Sequence, residues 1–232
     1  STPVTHQGLA ILATLPNLQI LEINVPKDGD LALQQVGKCK SLKEISFRGS
    51  DITGTGLAYL KDLSQLERLD ISYSPRLSSA GLTVLQNFPR LTGLVLSDCP
   101  ADEASIDSIT HLKNLESLSL GENSSTDKAV KKLQALKKLR LLGLQGNRMT
   151  AEGLRDLPPT LNHLGMDDLQ PDDEMLQILL SFPKLRLLSL NGDHLTESRK
   201  HAFQTAFCKD KDDDPLVIWC STADPTFDDT PE

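Results

Sequence analysis

One spacing of apolar residues recurs along most of this chain. The pattern L-x-x-L-x-L, in which Ile, Phe or Met replaces some of the leucines, occurs eight times. The copies begin at Leu18, Leu42, Leu66, Leu91, Leu115, Leu139, Leu161 and Leu185. Consecutive starts are 24, 24, 25, 24, 24, 22 and 24 residues apart, a regularity that independent globular elements would not show. The spacing therefore predicts a stack of similar units, each containing one strand.

A second pattern occupies the segments between the strands. Apolar residues recur there in steps of three, as in Leu57, Leu60 and Leu63, which indicates helices with one buried face. Four residues before the first apolar position stands a side chain that can cap a helix. These residues are Thr5, Thr53, Ser78, Asp102, Thr126, Thr150 and Asp172. The seventh repeat is two residues shorter than most and is predicted to have a truncated helix near Pro158 and Pro159.

A polar position follows the strand in three of the repeats. Cys99, Asn123 and Asn147 each lie three residues after the last apolar residue of the pattern. A buried side chain at this position can hydrogen-bond the backbone of the turn that leaves the strand. We therefore expect these three side chains to bond that backbone, in a ladder that is imperfect because the other five repeats have different residues at this position.

The units resemble the leucine-rich repeat family in its bacterial, 24-residue form, which reads roughly T-D-x-G-L-x-x-L-x-x-L-x-x-L-x-x-L-x-L. The stretches that carry the resemblance best are DITGTGLAYL at residues 51–60 and MTAEGL at residues 149–154, and the match extends over residues 5–193. Similar units occur in bacterial effector proteins. The resemblance implies an α/β fold, a horseshoe-shaped solenoid with a parallel β-sheet on the concave face and short helices on the convex face. It also implies a shape that chiefly binds other proteins.

The chain divides into three segments by pattern and composition. Residues 1–196 hold the eight repeats. Residues 197–220 are predicted to form a C-terminal cap, with one helix and a ninth strand at Leu216 to Cys220 that includes the only tryptophan. Residues 221–232 are acidic and contain two prolines, a composition typical of disorder.

Charge and motif content exclude several function classes. The net charge is −8, and residues 209–232 contribute eight carboxylates against two lysines. No cluster of Lys and Arg suits a nucleic acid, and no apolar run is long enough to span a membrane. Catalytic motifs, metal-ligand spacings and cofactor-binding loops are also missing from the sequence, so we expect no enzyme, no metal and no cofactor.

The cysteines and the N-terminal residues indicate where the protein acts. Cys39, Cys99, Cys208 and Cys220 lack metal-ligand spacing and fit buried thiols in a reducing compartment, although a Cys208–Cys220 disulfide remains an alternative. The first thirty residues do not have the pattern of a secretory signal peptide. We therefore expect a cytoplasmic, monomeric protein, or one that reaches a host cytosol after secretion.

The strand register predicts which side chains point outward from the concave face, because strand residues alternate between core and solvent. A charged N-terminal group and a mainly apolar C-terminal group result. The candidate binding residues are Glu44, Arg48, Arg68, Asp70, Tyr73, Leu141, His163, Asp167 and Leu187. The pairs Glu44/Arg68 and Arg48/Asp70 could instead be ordinary ion pairs of a solvated sheet. Small residues, among them Ser119, Gly143 and Gly165, are expected to let a partner approach closely.

Two functions are compatible with this pattern. The first is a non-catalytic recognition module that binds a protein partner through its concave face, as in a bacterial effector acting inside a host cell. The second is the substrate-recognition domain of a larger enzyme, such as an effector ubiquitin ligase, whose catalytic part lies outside this chain.

Overall fold

A single parallel sheet runs through the protein. The computed structural model describes residues 6–25, 27–167 and 171–190, residues 201 and 205, and the backbone of residues 217–219. Nine strands lie in these residues, and they follow one another in the sheet in chain order. The strands are β1 Ile20–Asn24, β2 Glu44–Arg48, β3 Arg68–Asp70, β4 Gly93–Val95, β5 Ser117–Ser119, β6 Leu141–Gly143, β7 His163–Gly165, β8 Leu187–Ser189 and β9 Val217–Trp219.

Short helices return the chain from each strand to the next. The α-helices are α1 Gly29–Val36, α2 Gly54–Leu57, α3 Ser79–Leu82, α4 Glu103–Ile109, α5 Asp127–Lys131, α6 Ala151–Arg155 and α7 Asp173–Leu180. Turns of 3₁₀ helix cover Gly8–Thr14, Ala58–Leu60, Thr83–Asn87 and Lys132–Ala135. The α/β solenoid expected from the spacing, with a parallel sheet on one side and helices on the other, is therefore confirmed. None of the helices in the described ranges has the length and apolarity needed to cross a bilayer.

The core lies between the sheet and the helices. The middle residue of each short strand points inward, and Leu94, Leu118, Leu142 and Leu164 are completely buried. Helix residues at three-residue steps, such as Leu57, Leu60 and Leu63, cover them from the other side and are equally buried. With few aromatic residues, the core is built almost entirely from aliphatic side chains, and repeated leucines of similar size allow the units to stack in register.

Helix starts follow the predicted capping positions. Thr53, Ser78, Asp102, Thr126, Thr150 and Asp172 are the residues that precede α2 to α7. Four of these side chains accept a hydrogen bond from a backbone N–H in the first turn: Thr53, Asp102, Thr126 and Asp172. The first repeat departs from the prediction, because Gly8–Thr14 is 3₁₀ rather than α-helical and Leu15 is 46% exposed. Thr5 lies outside the described residues.

Side chains at the helix starts also connect consecutive repeats. Asp30 accepts hydrogen bonds from the backbone N–H and the hydroxyl of Thr53 in the next repeat, at 2.8 and 2.5 Å. A Cβ atom at Gly56 would overlap the same carboxylate, so the glycine makes room for it. Asp127 contacts Thr150 and Gly153 in the same way. The two T-x-x-G-L stretches of the sequence therefore have a structural cause, the docking of α2 and α6 on an aspartate of the preceding repeat.

The polar residues after the strands form the expected connections. Asn123 accepts from the backbone N–H of Cys99 and donates to the carbonyl of Leu96, both at 2.9 Å. Asn147 repeats this arrangement one unit later with Ser125 and Leu120. The Cys99 thiol donates to the carbonyl of Ile71 at 3.3 Å. All three side chains are buried, so they satisfy turn groups that water does not reach.

The shortened seventh repeat and the C-terminal end of the array were also predicted from the sequence. The helix α6 has five residues and no 3₁₀ extension, as the shortened seventh repeat indicated. Strand β9 pairs in parallel with β8, opposite Leu187 to Ser189. Residues 201 and 205, in the predicted cap helix, are helical. The rest of the predicted cap, including Cys208 and Cys220, and the acidic tail lie outside the described residues, so the division into three segments stays a prediction.

Candidate binding surface

Two rows of side chains cross the open face of the sheet, one on each side of the buried middle residues. The first row consists of Ile20, Glu44, Arg68, Gly93, Ser117, Leu141, His163 and Leu187. The second row consists of Glu22, Ser46, Asp70, Val95, Ser119, Gly143, Gly165 and Ser189. The predicted register is therefore the observed one. We use the name concave face for these two rows together with the residues that follow them towards the carboxyl ends of the strands.

Arg48 and Asp70 neutralise each other. The guanidinium Nε of Arg48 donates to Oδ2 of Asp70 at 2.5 Å. The other oxygen of Asp70, Oδ1, accepts from the backbone N–H and the hydroxyl of Ser72 at 3.0 and 2.6 Å. Asp70 is only 8% exposed, so the expectation of an outward, solvent-facing carboxylate is wrong at this position. Its three hydrogen bonds turn the carboxylate into an internal link between the second and third repeats.

Arg68 behaves differently from Arg48. It lies opposite Glu44 in the register, but no ion pair within 4.0 Å joins the two in the described part of the chain. Its stem lies beside Gly93 of the next strand, where an added Cβ would approach the Arg68 Cγ to 3.3 Å. The glycine thus leaves space for the aliphatic part of an arginine that remains exposed on the concave face.

Tyr73 lies in the turn that follows β3. Its φ is +58°, and the equivalent residues of four other repeats, Gly49, Asp98, Glu122 and Gly146, have φ between +55° and +65°. We call these five residues the rim. Each donates its backbone N–H to a carbonyl of the next repeat, so the left-handed residues extend the hydrogen bonding of the sheet. Tyrosine is disfavoured in this left-handed conformation. Tyr73 is also 55% exposed to solvent.

An apolar stripe occupies the C-terminal half of the first row. Leu141, His163 and Leu187 lie on neighbouring strands in register, and all three are half-buried rather than fully exposed. Asp167, expected to face solvent beside them, is only 6% exposed and accepts the hydroxyl of Ser189 at 3.1 and 3.3 Å. Asp168 lies outside the described residues. The structure therefore brings the two leucines and the histidine together but places Asp167 inside the turn.

Gln145 was not identified from the sequence, and it covers the small residues of the second row. A Cβ at Gly165 would lie 2.6 Å from Gln145 Nε2, and one at Gly143 would lie 2.9 Å from Oε1. The glutamine amide therefore fills the shallow space that we expected to stay open for a partner. The sequence contained a signal for this contact. Gln145 lies two residues after Gly143, so its long side chain is on the same face of the strand as the glycine, which has no side chain.

Three lysines of the helical side form ion pairs with carboxylates of neighbouring repeats. Lys128 and Lys132 contact Glu103 at 3.0 and 2.9 Å, and Lys132 also contacts Asp107 at 2.6 Å. The hydrogen bonds to Asp107 and Glu103 raise the pKa of Lys132. The same kind of ion pair joins Lys131 to Asp156. These contacts connect consecutive repeats, which agrees with the interpretation of the lysines as a solvated convex surface.

A groove of about 460 Å³ lies on the helical side next to the shortened repeat. Leu157, Pro159, Ile178 and Phe182 are among the residues that line it, together with the ion pair between Arg155 and Glu174. Within the described ranges no group of three or more His, Cys, Asp or Glu residues is arranged to hold a metal ion.

Comparison with known proteins supports the fold. A family model described as Zer-1-like leucine-rich repeats matches residues 57–139. No curated protein sequence matches the chain. Among solved structures, internalin C2 of Listeria monocytogenes strain 4b F2365 is similar at 24% identity with a TM-score of 0.51, over 69% of this chain and 67% of that one.

Another internalin of the same strain is similar at 17% identity with a TM-score of 0.56. That similarity covers 92% of this chain but only 57% of the internalin, so the chain spans little more than half of its length. At such identities the similarity concerns the fold. Together with the eight repeats and the continuous parallel sheet, it identifies the fold as a leucine-rich repeat solenoid.

Proposed function

We propose that this protein is a recognition module that binds another protein through its concave face. The observation that carries the proposal is the apolar stripe, in which Leu141, His163 and Leu187 lie in register on three neighbouring strands and stay partly exposed. Apolar side chains in such a row gain free energy when a partner removes them from water.

Tyr73 adds a second argument. An exposed tyrosine in a left-handed turn costs the fold about 1 kcal/mol or more, and glycine occupies the equivalent turn position in two other repeats. Tyrosine is also among the residue types that dominate binding energies at interfaces. Arg68, exposed on the third strand, belongs to the same half of the face. A binding role for Tyr73 would explain why a strained residue stands where glycine would be free of strain.

The proposal extends to the setting in which the protein acts. Cys39 and Cys99 are buried and free, which supports a reducing compartment such as the cytoplasm, or a host cytosol in the case of a secreted effector. Counting reactive thiols in denaturant without a reductant tests the compartment, because four reactive thiols are expected and two would indicate a Cys208–Cys220 disulfide.

Paired variants can test the binding face by quantitative capture of proteins from a lysate. Replacing Leu141 and Leu187 by Gln should reduce capture of the bound protein at least 30-fold, as expected for the loss of about 2 kcal/mol at a hot spot. The matched control replaces Ile11 and Leu31 by Gln. These aliphatic residues are 66% and 43% exposed but lie on helical segments away from the concave face.

The two tyrosines of the chain provide a second matched pair. Tyr59 is 38% exposed on the 3₁₀ turn Ala58–Leu60, on the helical side, whereas Tyr73 belongs to the rim. Tyr73→Ala should weaken capture, and Tyr59→Ala should not. Capture that depends on Tyr59, Ile11 and Leu31 but not on the concave residues would show that the partner binds the convex side, and the proposal would be wrong.

A further inference from the structure

One N-glycosylation sequence occurs in the chain, and it lies at a buried position. Asn123, Ser124 and Ser125 have the pattern N-x-S, in which the asparagine accepts an oligosaccharide on its side-chain nitrogen. The other seven asparagines of the chain are not followed by Ser or Thr two residues later. Acceptor asparagines of secreted glycoproteins lie in surface loops. Asn123, in contrast, is only 7% exposed.

The acceptor nitrogen of Asn123 belongs to a buried link between repeats. Its Nδ2 donates to the carbonyl of Leu96 at 2.9 Å, and its Oδ1 accepts from the N–H of Cys99 at 2.9 Å. Leu96 is completely buried and Cys99 is 3% exposed, so both bonds lie inside the turn. An oligosaccharide on Nδ2 has no room there, because packed interiors leave few voids larger than a water molecule. A glycosylated Asn123 therefore cannot take its place in the folded array.

The growing chain exposes Asn123 before the fold covers it. The N–H of Ser125 donates to Oδ1 of Asn147 at 2.7 Å, and β5 pairs with β6. These contacts need residues that are synthesised up to 24 positions after Asn123. At about 5–20 residues per second, the asparagine waits about 1–5 s before Asn147 is added. An enzyme that modifies extended chains therefore reaches Asn123 before the next repeat does.

We propose that Asn123 is an N-glycosylation acceptor and that its modification and the folding of the protein exclude each other. In the reaction, Nδ2 attacks the anomeric carbon of an oligosaccharide that is carried on a lipid diphosphate. The N–C bond forms as the bond from that carbon to the diphosphate oxygen breaks, the lipid diphosphate leaves, and the amide nitrogen loses one proton.

The consequence concerns the compartment in which the protein acts. The chain folds only where it does not meet the lipid-linked oligosaccharide as it is made, which supports the cytoplasmic setting proposed above. This inference does not depend on the binding face. It also involves a different residue from the thiol count, so either experiment can fail without the other.

Two neighbouring serines provide a matched pair of variants. The Ser125 hydroxyl is buried and has no hydrogen-bond partner among the described residues, so Ser125→Ala removes the glycosylation pattern without removing a side-chain bond. Ser124→Ala retains the pattern N-x-S. Purified from the cytoplasm of bacteria, the parent and both variants should melt within about 2 °C of one another.

The test attaches a cleavable secretory signal peptide to the full chain and expresses it in a eukaryotic cell. The parent and Ser124→Ala should carry one glycan, seen as a mobility shift that an endoglycosidase reverses, and should remain in the cell in a protease-sensitive form. Ser125→Ala should carry no glycan and should be secreted about 10-fold more than the parent, because quality control retains unfolded chains.

A second glycan position controls for the effect of any glycan. Glu116→Ser in the Ser125→Ala chain creates the pattern N-x-S at Asn114, whose side chain is exposed. This double variant should be glycosylated and still be secreted at the level of Ser125→Ala. Loss of its secretion would show that any glycan blocks the chain, and the argument from burial of Asn123 would be wrong.

The remaining outcomes are equally decisive. A parent that is secreted with its glycan would show that modification and folding are compatible. A parent that carries no glycan would show that Asn123 is not an acceptor. Retention of Ser125→Ala at the level of the parent would show that the glycan is not what prevents folding. Each of these results overturns the inference and leaves the capture experiment on Leu141 and Leu187 unaffected.

Discussion

The buried Asn123 side chain supports a prediction about what joins the repeats. Asn123 and Asn114 each make two amide hydrogen bonds, and each contacts a neighbouring repeat. Asn123 binds the N–H of Cys99 and the carbonyl of Leu96, and it is 7% exposed. Asn114 donates to the carbonyl of Pro89 at 2.8 Å and accepts from Lys138 at 2.7 Å, but it is exposed. Replacing each by alanine therefore removes the same number of bonds from opposite environments.

The expected costs differ because water can replace only one set of bonds. Asn123→Ala leaves a buried donor and a buried acceptor unpaired, each costing about 1–3 kcal/mol, so the free energy of unfolding should fall by about 2–6 kcal/mol. Asn114→Ala exposes its former partners to water and should cost at most about 0.5 kcal/mol. Urea unfolding followed by circular dichroism measures both. Equal losses in the two variants, or a loss below about 1 kcal/mol for Asn123→Ala, would refute the assignment of the buried amide as a link between repeats.

Three further predictions concern the rim, the thiol and the last strand. Tyr73→Gly should raise the free energy of unfolding by about 1 kcal/mol because glycine adopts a φ of +58° without strain. Tyr59→Gly, in a 3₁₀ turn, should lower the free energy of unfolding. Thermal melts should therefore show a higher melting temperature for the first variant and a lower one for the second. Burial raises the pKa of the Cys99 thiol to about 11, so unfolding releases a proton above the ordinary cysteine pKa. The contribution of this thiol to the free energy of unfolding is therefore fully present below about pH 8.5 and should be lost between about pH 8.5 and 11. Cys99→Ala should make the loss of stability with rising pH less steep, and an unchanged slope would contradict this prediction. Ending the chain after Asp193 removes β9 and leaves the edge of β8 unpaired, which should cause aggregation in size-exclusion chromatography, while a soluble monomer would show that β9 is dispensable.

Features that depend on one repeat alone could be predicted from the sequence. The strand positions follow from the leucine spacing because one buried residue per strand sets the register. The six helix starts follow from Thr, Ser and Asp side chains that bond their own first turn or precede it. Asn123 and Asn147 were identified from their position after the strand, although the atoms of the preceding repeat that they bond are known only from the structure. Each of these inferences needs only local chemistry and the assumption that units stack.

Features that depend on two or three repeats together could not be predicted in this way. Asp70 is buried because Arg48 of the preceding repeat and Ser72 of its own repeat both bind it. Gln145 covers Gly165 of the following repeat, a contact that requires the direction of a long, flexible side chain. The left-handed turn at Tyr73 was predictable in principle from Gly49 and Gly146, but an alignment of the turns, rather than of the strands, is needed to see it. The candidate binding residues themselves stay a prediction.

The hydrogen bonds between repeats also determine how the chain folds. They join residues 19 to 28 positions apart, from Arg155 with Glu174 to Cys99 with Ile71. Closing a loop of about 24 residues costs about 2 kcal/mol less entropy than closing one of about 200 residues, so the relative contact order stays low although the sheet spans the whole array. We therefore expect folding to nucleate within a few adjacent repeats and to propagate outward. We expect the nucleus in the fourth to sixth repeats, where Cys99, Asn123 and Asn147 add buried hydrogen bonds, and we expect the terminal repeats to unfold first.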